Sequence, residues 1–140
     1  MKVMKLCLCL AALACTLAAA DNIKSETLRG KLIVQAGQAP AVETPDHQRV
    51  LLDGDQPTRK VLHDERINGF EMEARGHFTA PGRFTIDPQH TRALLVREQG
   101  HLKMVTYWCD VCGIRAYTPG PCVCCQKETT LDLRDPNDIQ

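Results

Sequence analysis

Five of the eight cysteines in this chain of 140 residues fall within one stretch of its last third, Tyr107 to Gln126, which reads YWCDVCGIRAYTPGPCVCCQ. The stretch contains two C-x-x-C pairs, Cys109 with Cys112 and Cys122 with Cys125. Two intervening residues let the chain turn so that both sulfurs of a pair face one point. Four thiolates in a tetrahedron are a preferred structural site of Zn²⁺. The spacing therefore predicts a metal site with four thiolate ligands.

The residues between the pairs favour this interpretation. Gly113 follows the first pair and can adopt the positive φ that such a turn needs. Pro119-Gly120-Pro121 reverses the chain and returns the second pair to the first. The fifth thiol, Cys124, is predicted to be a bystander, although it could replace Cys122 or Cys125 as a ligand, stay free, or pair with another molecule.

The pattern resembles zinc ribbons and the short rubredoxin-like domains at the end of rubrerythrins, which share an aromatic before the first pair, CxxCG, and a Pro shortly before the second. The resemblance implies a metal knuckle that holds zinc or, alternatively, iron. Three features differ: Gln126 stands where a second glycine would follow, the gap between the two pairs is short, and no upstream segment supplies the Glu and Glu-x-x-His helices of a rubrerythrin. Peroxidase chemistry is therefore not implied. Over its whole length the chain also resembles secreted bacterial proteins without assigned function, which implies no mechanism.

Two other uses of the cysteines remain open. Two disulfides could staple a small secreted domain, although five cysteines would leave one over. A redox-active pair normally begins a helix, and Gly113 and Pro119 disfavour a helix here.

The first twenty residues predict export. Lys2 and Lys5 precede an apolar run from residue 6 to 17, and Ala18-Ala19-Ala20 provides a small-residue cleavage site before Asp21, as in a secretory signal peptide. The apolar run is shorter than the roughly 20 residues that span a bilayer. Cleavage after Ala20 is favoured, and lipidation at Cys15 is the alternative. The expected location is the periplasm or the extracellular space.

The remaining sequence predicts short strands and one helix. Strands are expected over residues 28–34, 48–53, 70–79, 83–86, 92–97, 102–107 and 129–133, with a loop over 36–47 and a hairpin turn over 98–101. The helix begins near Pro57, with Asp55 as its cap, and ends by Gly69. This pattern predicts a mainly β fold with one helix, a small OB-like antiparallel barrel followed by a C-terminal zinc-ribbon-like knuckle. The alternative is an α+β sandwich. The expected division is a signal peptide (1–20), a barrel (21–106), a metal knuckle (107–133) and a frayed tail (134–140).

Other chemistry-bearing residues show no ligand spacing. The five histidines are scattered and are expected at surfaces or in turns; they are His47, His63, His77, His90 and His101. The acidic residues near the helix are interpreted as solvated charges; they are Asp53, Asp55, Asp64 and Glu65. Tyr107 and Trp108 are both expected to pack the knuckle against the barrel, with ligand stacking as the alternative. No phosphate-binding loop or nucleophile-elbow motif is present in the sequence.

The charge and composition of the chain make some classes of function less favourable than others. Lys plus Arg and Asp plus Glu each number 17, and without residues 1–20 the balance is 15 basic to 17 acidic. A chain without net positive charge is disfavoured as a nucleic-acid binder. We therefore expect a non-catalytic exported module with a structural zinc site and an unidentified partner, such as another envelope protein. The alternatives are a rubredoxin-like iron electron-transfer protein and a nucleic-acid-binding module.

Overall fold

Five strands close into a barrel in this computed structural model, which describes residues 23–138. They are β1 (Glu26–Ile33), β2 (Ala41–Glu43), β3 (Arg49–Asp53), β4 (Glu71–Ala80) and β5 (Arg83–Ile86). The hydrogen-bonded order is β1-β2-β3-β5-β4, and β4 pairs again with β1, so the sheet closes on itself. All pairs in this ring are antiparallel except β3 with β5. The predicted mainly β fold with a small OB-like barrel is confirmed.

β1 closes the barrel because it pairs with two strands. Its first part pairs with β4, and Lys31, near its end, pairs with both Glu71 of β4 and Glu43 of β2. Gly30 sits at this transition, where a side-chain Cβ would lie 2.2 Å from the Glu43 carbonyl oxygen. Only glycine allows the two backbones to approach so closely.

The interior of the barrel follows the period of two along each strand. The side chains that face inward are apolar and buried; they include Leu28, Leu32, Val50, Leu52, Met72, Ala74, Phe84 and Ile86. Helix α1 (Gln56–Leu62) adds fully buried Val61 and Leu62, and the following 3₁₀ turn (Glu65–Ile67) adds Ile67.

Asp55 caps helix α1, as predicted. Its carboxylate accepts the amide of Thr58 at 3.0 Å, and Pro57 stands in the first turn. The helix ends at Leu62, so the expected extension towards Gly69 is wrong: the next residues form the 3₁₀ turn, which Asp64 caps through the amide of Arg66.

The chain after the barrel builds a second region of sheet. It contains α2 (His90–Ala93), β6 (Leu94–Glu98), β7 (His101–Cys109), β8 (Ile114–Ala116) and β9 (Thr130–Arg134). β6 pairs with β4 and then with β7, so the barrel and this region share one sheet. The predicted hairpin between β6 and β7 is confirmed: Gln99 and Gly100 both have positive φ, as a two-residue turn of type I′ requires.

Two expected elements differ from the structure. The predicted loop over 36–47 contains β2, whose Ala41 and Val42 are fully buried and pair with both β1 and β3. The predicted strand over 92–97 begins at Leu94, because residues 90–93 form the single turn α2.

Candidate metal centre

The first knuckle, Cys109 to Gly113, is the turn between β7 and β8. Cys109 ends β7 and is paired with Ile114 of β8. The amide of Gly113 donates to the Cys109 carbonyl at 2.8 Å, and Gly113 has a φ of 63°. The amide of Cys112 points at the Cys109 sulfur at 3.4 Å. The β7–β8 hairpin therefore fixes the turn and directs an N–H dipole at a thiol.

The second knuckle, Cys122 to Gln126, repeats this geometry without the glycine. The amide of Gln126 donates to the Cys122 carbonyl at 2.9 Å, and Gln126 has a φ of 61°. The amide of Cys124 lies 3.4 Å from the Cys122 sulfur. The flanking segments run antiparallel: Cys122 donates its amide to the Lys127 carbonyl at 2.8 Å.

Residues just before β9 hold the Pro-Gly-Pro reversal between the two knuckles in place. The hydroxyl of buried Thr129 donates to the Gly120 carbonyl at 2.8 Å. Pro121 and Glu128 form an isolated antiparallel bridge beside it. β9 itself pairs along β7, with Tyr107 opposite Leu131. The chain that enters and leaves the second knuckle is thus anchored next to the first.

The two knuckles bring four sulfurs together. All four lie within 4.8 Å of one another; they belong to Cys109, Cys112, Cys122 and Cys125. Across the knuckles, the sulfurs of Cys109 and Cys125 are 3.5 Å apart. Sulfurs bound to one tetrahedral zinc at about 2.3 Å are about 3.8 Å from each other, whereas a disulfide needs about 2.05 Å. The arrangement fits four ligands of one metal ion, and all five cysteines of the described chain are free.

Hydrogen bonds shift the pKa values of two thiols of the cluster in opposite directions. The backbone amides of Cys125 and Cys124 lower the pKa of the Cys122 thiol to about 7, since they stabilise its thiolate. Cys112 has a raised pKa because it contacts other thiols, first that of Cys124 and then that of Cys125. A metal ion that binds here must displace the protons that these thiols share, so its binding depends on pH.

Burial also divides the cluster. Cys109 and Cys122 are buried, whereas Cys112 and Cys125 are half-buried and face the surface. Cys124 is exposed and is not part of the group of four. The apolar residues inside the two knuckles are strongly exposed: Val111 is 60% and Val123 is 86% accessible.

Tyr107 attaches the knuckle region to the barrel, as predicted. Its ring is fully buried in the common core, and its hydroxyl is buried close to Asp64 without a hydrogen bond of normal geometry. Arg66 lies over the Tyr107 ring at 5.2 Å, pairs with Asp64 at 2.9 Å and donates to the Thr129 carbonyl at 2.9 Å. One guanidinium thus joins the 3₁₀ turn of the barrel to both β7 and the chain before β9.

The same expectation is wrong for Trp108. Neighbouring residues of a strand point to opposite faces, so Trp108 lies half-buried on the outer face of β7. Arg115 of β8 covers its ring at 5.2 Å and is itself bonded to Thr106 and Asp132.

The remaining candidates have other roles. Asp53 pairs with Arg59, Asp55 caps α1, and Asp64 caps the 3₁₀ turn while pairing with Arg66. Glu65 is exposed at the start of that turn. His47, His63 and His101 are exposed, and His77 is half-buried.

His90 was expected at a surface or in a turn and is instead buried. It begins the short helix α2, which packs against β4, β6 and β7. The sequence did not predict its burial, because His90 falls between the strands expected over 83–86 and 92–97, where an exposed turn is the ordinary expectation.

The comparisons with known proteins add no relative. The chain matches no protein-family model, and searches of curated proteins and of solved structures find no significant match. No helix in residues 23–138 is long and apolar enough to cross a membrane. The predicted signal segment, with Cys7, Cys9 and Cys15, lies outside the described residues. The fold and the site therefore describe a small, mainly β protein. It consists of an OB-like barrel and a four-cysteine cluster that could hold a metal ion.

Proposed function

We propose that this chain is an exported, non-catalytic module in which one zinc ion, bound by Cys109, Cys112, Cys122 and Cys125, holds the C-terminal strands on the barrel. The observation that carries this proposal is the convergence of two knuckles with the same turn geometry on a single group of four sulfurs. Four protein thiolates complete the coordination of zinc and leave no position for a water or a substrate. The role of the metal is then structural.

Apart from the bonds of Thr129 and the bridge at Pro121, few contacts other than a metal would hold the chain around the second knuckle. Between β8 and β9, residues 117–129 contain no strand of their own apart from the isolated bridge at Pro121. The side chains in and beside the knuckles are largely exposed, including Val111, Tyr117 and Val123. A small unit of this kind lacks the apolar core that would fold it alone, and a metal supplies the missing free energy.

Iron in the same four thiolates is the second candidate, and the exposure of the cluster favours it. Cys112 and Cys125 are half-buried near the exposed Val111 and Val123. An electron would therefore have a short path from a metal ion to a partner docked at the knuckles. Zinc has no redox chemistry, so the two metals imply different functions for one geometry.

Cobalt substitution tests the four-ligand set. Apo protein titrated with Co²⁺ should bind one ion per chain with the intense visible bands of a tetrahedral thiolate site, and zinc should bleach them. Cys125→Ser should weaken these bands, while the adjacent control Cys124→Ser should keep them. If Cys124→Ser loses the spectrum and Cys125→Ser keeps it, the second pair is assigned incorrectly. A chain that binds no Co²⁺ with its thiols reduced would contradict the metal site altogether.

Export is proposed on residues 1–20 alone. The intact mass of the protein from the envelope of its native host should correspond to a chain that begins at Asp21. A mass that corresponds to a lipid-modified Cys15 would replace cleavage by lipidation, and an uncleaved chain in the cytoplasm would contradict export.

A further inference from the structure

Cys124 is the one thiol of the two knuckles that the four-cysteine cluster does not use. It is exposed, and it is not among the four cysteines whose sulfurs lie within 4.8 Å of one another. The other four thiols are buried or half-buried. Oxidation of cysteines follows their exposure to solvent, so Cys124 is the member of the group most open to an oxidant.

The second knuckle places Cys124 beside Cys112 of the first knuckle. The Cys112 sulfur lies within 4.8 Å of the sulfurs of both Cys122 and Cys125, which stand on either side of Cys124 in the chain. The thiol of Cys124 is also hydrogen-bonded to that of Cys112. The fifth thiol therefore contacts one of the four proposed ligands across the gap between the two knuckles.

Burial and chain geometry make Cys112 the favoured disulfide partner of Cys124. Cys109 and Cys122 are buried. Cys125 is half-buried but directly follows Cys124, and the Cα atoms of adjacent residues are about 3.8 Å apart, less than the roughly 4.4–6.8 Å of ordinary disulfides. Cys112 is half-buried and belongs to the other knuckle, so no short stretch of chain strains a bond between it and Cys124.

We propose that a hydroperoxide oxidises Cys124 and that Cys112 then joins it in a disulfide, which removes one thiolate from the metal site. In the first step Cys124 Sγ attacks the hydroperoxide, the O–O bond breaks, and an alcohol or water leaves with the thiol proton, so that Cys124 becomes a sulfenic acid. In the second step Cys112 Sγ attacks Cys124 Sγ, the S–O bond breaks, and hydroxide leaves and takes a proton to form water. The two sulfurs lose two electrons, and the hydroperoxide accepts both.

The disulfide has a consequence for the metal, and this part of the inference rests on the proposed zinc site. Structural zinc sites have four protein ligands, so a site that has lost Cys112 holds zinc more weakly. Reduction of the disulfide by a thiol returns Cys112 to the ligand set. The two knuckles thus combine a metal site with a peroxide-sensitive release of the metal.

Zinc release under hydrogen peroxide tests the proposal on the reduced, zinc-loaded protein. A chromogenic zinc indicator follows the metal, and peptide mass spectrometry after alkylation of the free thiols maps the disulfides. The wild type should release its zinc and form the disulfide between Cys112 and Cys124, and dithiothreitol with added zinc should reverse both changes. Cys124→Ser should bind zinc as the wild type does but release it about tenfold more slowly under peroxide.

Val123→Ser is the matched control, because Val123 is the exposed neighbour of Cys124 in the same knuckle and has no thiol. It should release zinc at the wild-type rate. The proposal is overturned if Cys124→Ser releases zinc as fast as this control, or if the first disulfide lies within either C-x-x-C pair or joins two chains. A reduced protein that binds no zinc before peroxide is added would instead contradict the proposed function, and the disulfide map alone then decides whether Cys112 and Cys124 pair.

Discussion

Gly113 and Gln126 occupy equivalent positions in the two knuckles: each follows the second cysteine of its pair, has a φ close to +60°, and donates its amide to the carbonyl of the first cysteine. The first position has the residue that favours this conformation, and the second does not. The first knuckle, a β-hairpin turn, and the second knuckle, a loop, thus have the same backbone geometry with different sequences. In the second knuckle this geometry strains the backbone at Gln126.

The strain predicts opposite effects at the two positions. Gly113→Ala should destabilise the metal-loaded protein by about 1 kcal/mol, because an L-residue is unfavourable at positive φ. Gln126→Gly should be neutral or stabilising by up to about 1 kcal/mol. Denaturant unfolding at a fixed metal concentration measures both. Gln126→Ala is the control, since it keeps the strained backbone. Equal unfolding midpoints for Gly113→Ala and wild type would contradict the argument.

Two arginines with the same ion-pair distance should differ strongly in importance. Arg66 Nε and Arg29 Nε each lie 2.9 Å from a carboxylate oxygen, but the Asp64 side chain is 7% exposed, whereas the Glu73 side chain is 24% exposed and Arg29 itself is 69% exposed. Arg66→Ala leaves a buried charge and frees the Thr129 carbonyl, so it should cost about 2 kcal/mol. Arg29→Ala should cost about 0.5 kcal/mol or less. Urea unfolding decides, and equal losses would show that Arg66 does not join the barrel to the knuckle region.

Asp64 should also contribute to acid sensitivity. Burial raises its pKa, but hydrogen bonds from the Arg66 side chain and backbone outweigh this, so the pKa in the folded protein is lowered from 3.8. A group with a lowered folded pKa stabilises the protein above its unfolded pKa, here 3.8, and loses that contribution as the pH falls through the folded value. Asp64→Asn should therefore lose less stability than wild type between about pH 5 and pH 3. Parallel stability curves for the two proteins would contradict this.

The knuckle should be separable from the barrel. Cys122→Ser should lose the metal and hydrogen-exchange protection over residues 105–133, while β1 to β5 stay protected, because the barrel closes through its own strand pairs. Cys124→Ser should be nearly silent in the same experiment. Loss of protection throughout the barrel in Cys122→Ser would show that the two parts fold only together.

Periodicity predicted the barrel well wherever one strand face is apolar. The strand Arg83–Ile86 and the hairpin at Gln99-Gly100 were expected as the structure has them. β2 was missed because Ala41-Val42-Glu43 is too short to show a period and lies among Pro and Gly. Its pairing comes from the strands on either side, which a local pattern does not contain.

The sequence predicted those features of the candidate site that depend only on residues close together in the chain. The C-x-x-C spacing is enough to identify the four cysteines that converge, and the glycine after the first pair is enough to predict its turn. The geometry at Gln126 was not predictable, because the bridge at Pro121 and the bonds around Cys122 impose it from outside the knuckle. The position of Trp108 was not predictable either. Alternation along β7 requires Tyr107 and Trp108 to point to opposite faces, but it does not show which of the two is buried.

Metal content, measured together with a count of free thiols, decides whether one metal ion occupies the four thiolates. The protein would be purified from its native compartment without added metal. We expect one zinc per chain, no colour, and four thiols that react only after a chelator is added, with Cys124 reactive throughout. One iron with a red colour would keep the site and replace the structural role by electron transfer. A chain without metal and with few titratable thiols would mean that the cysteines form disulfides and that the four-thiolate metal site does not exist.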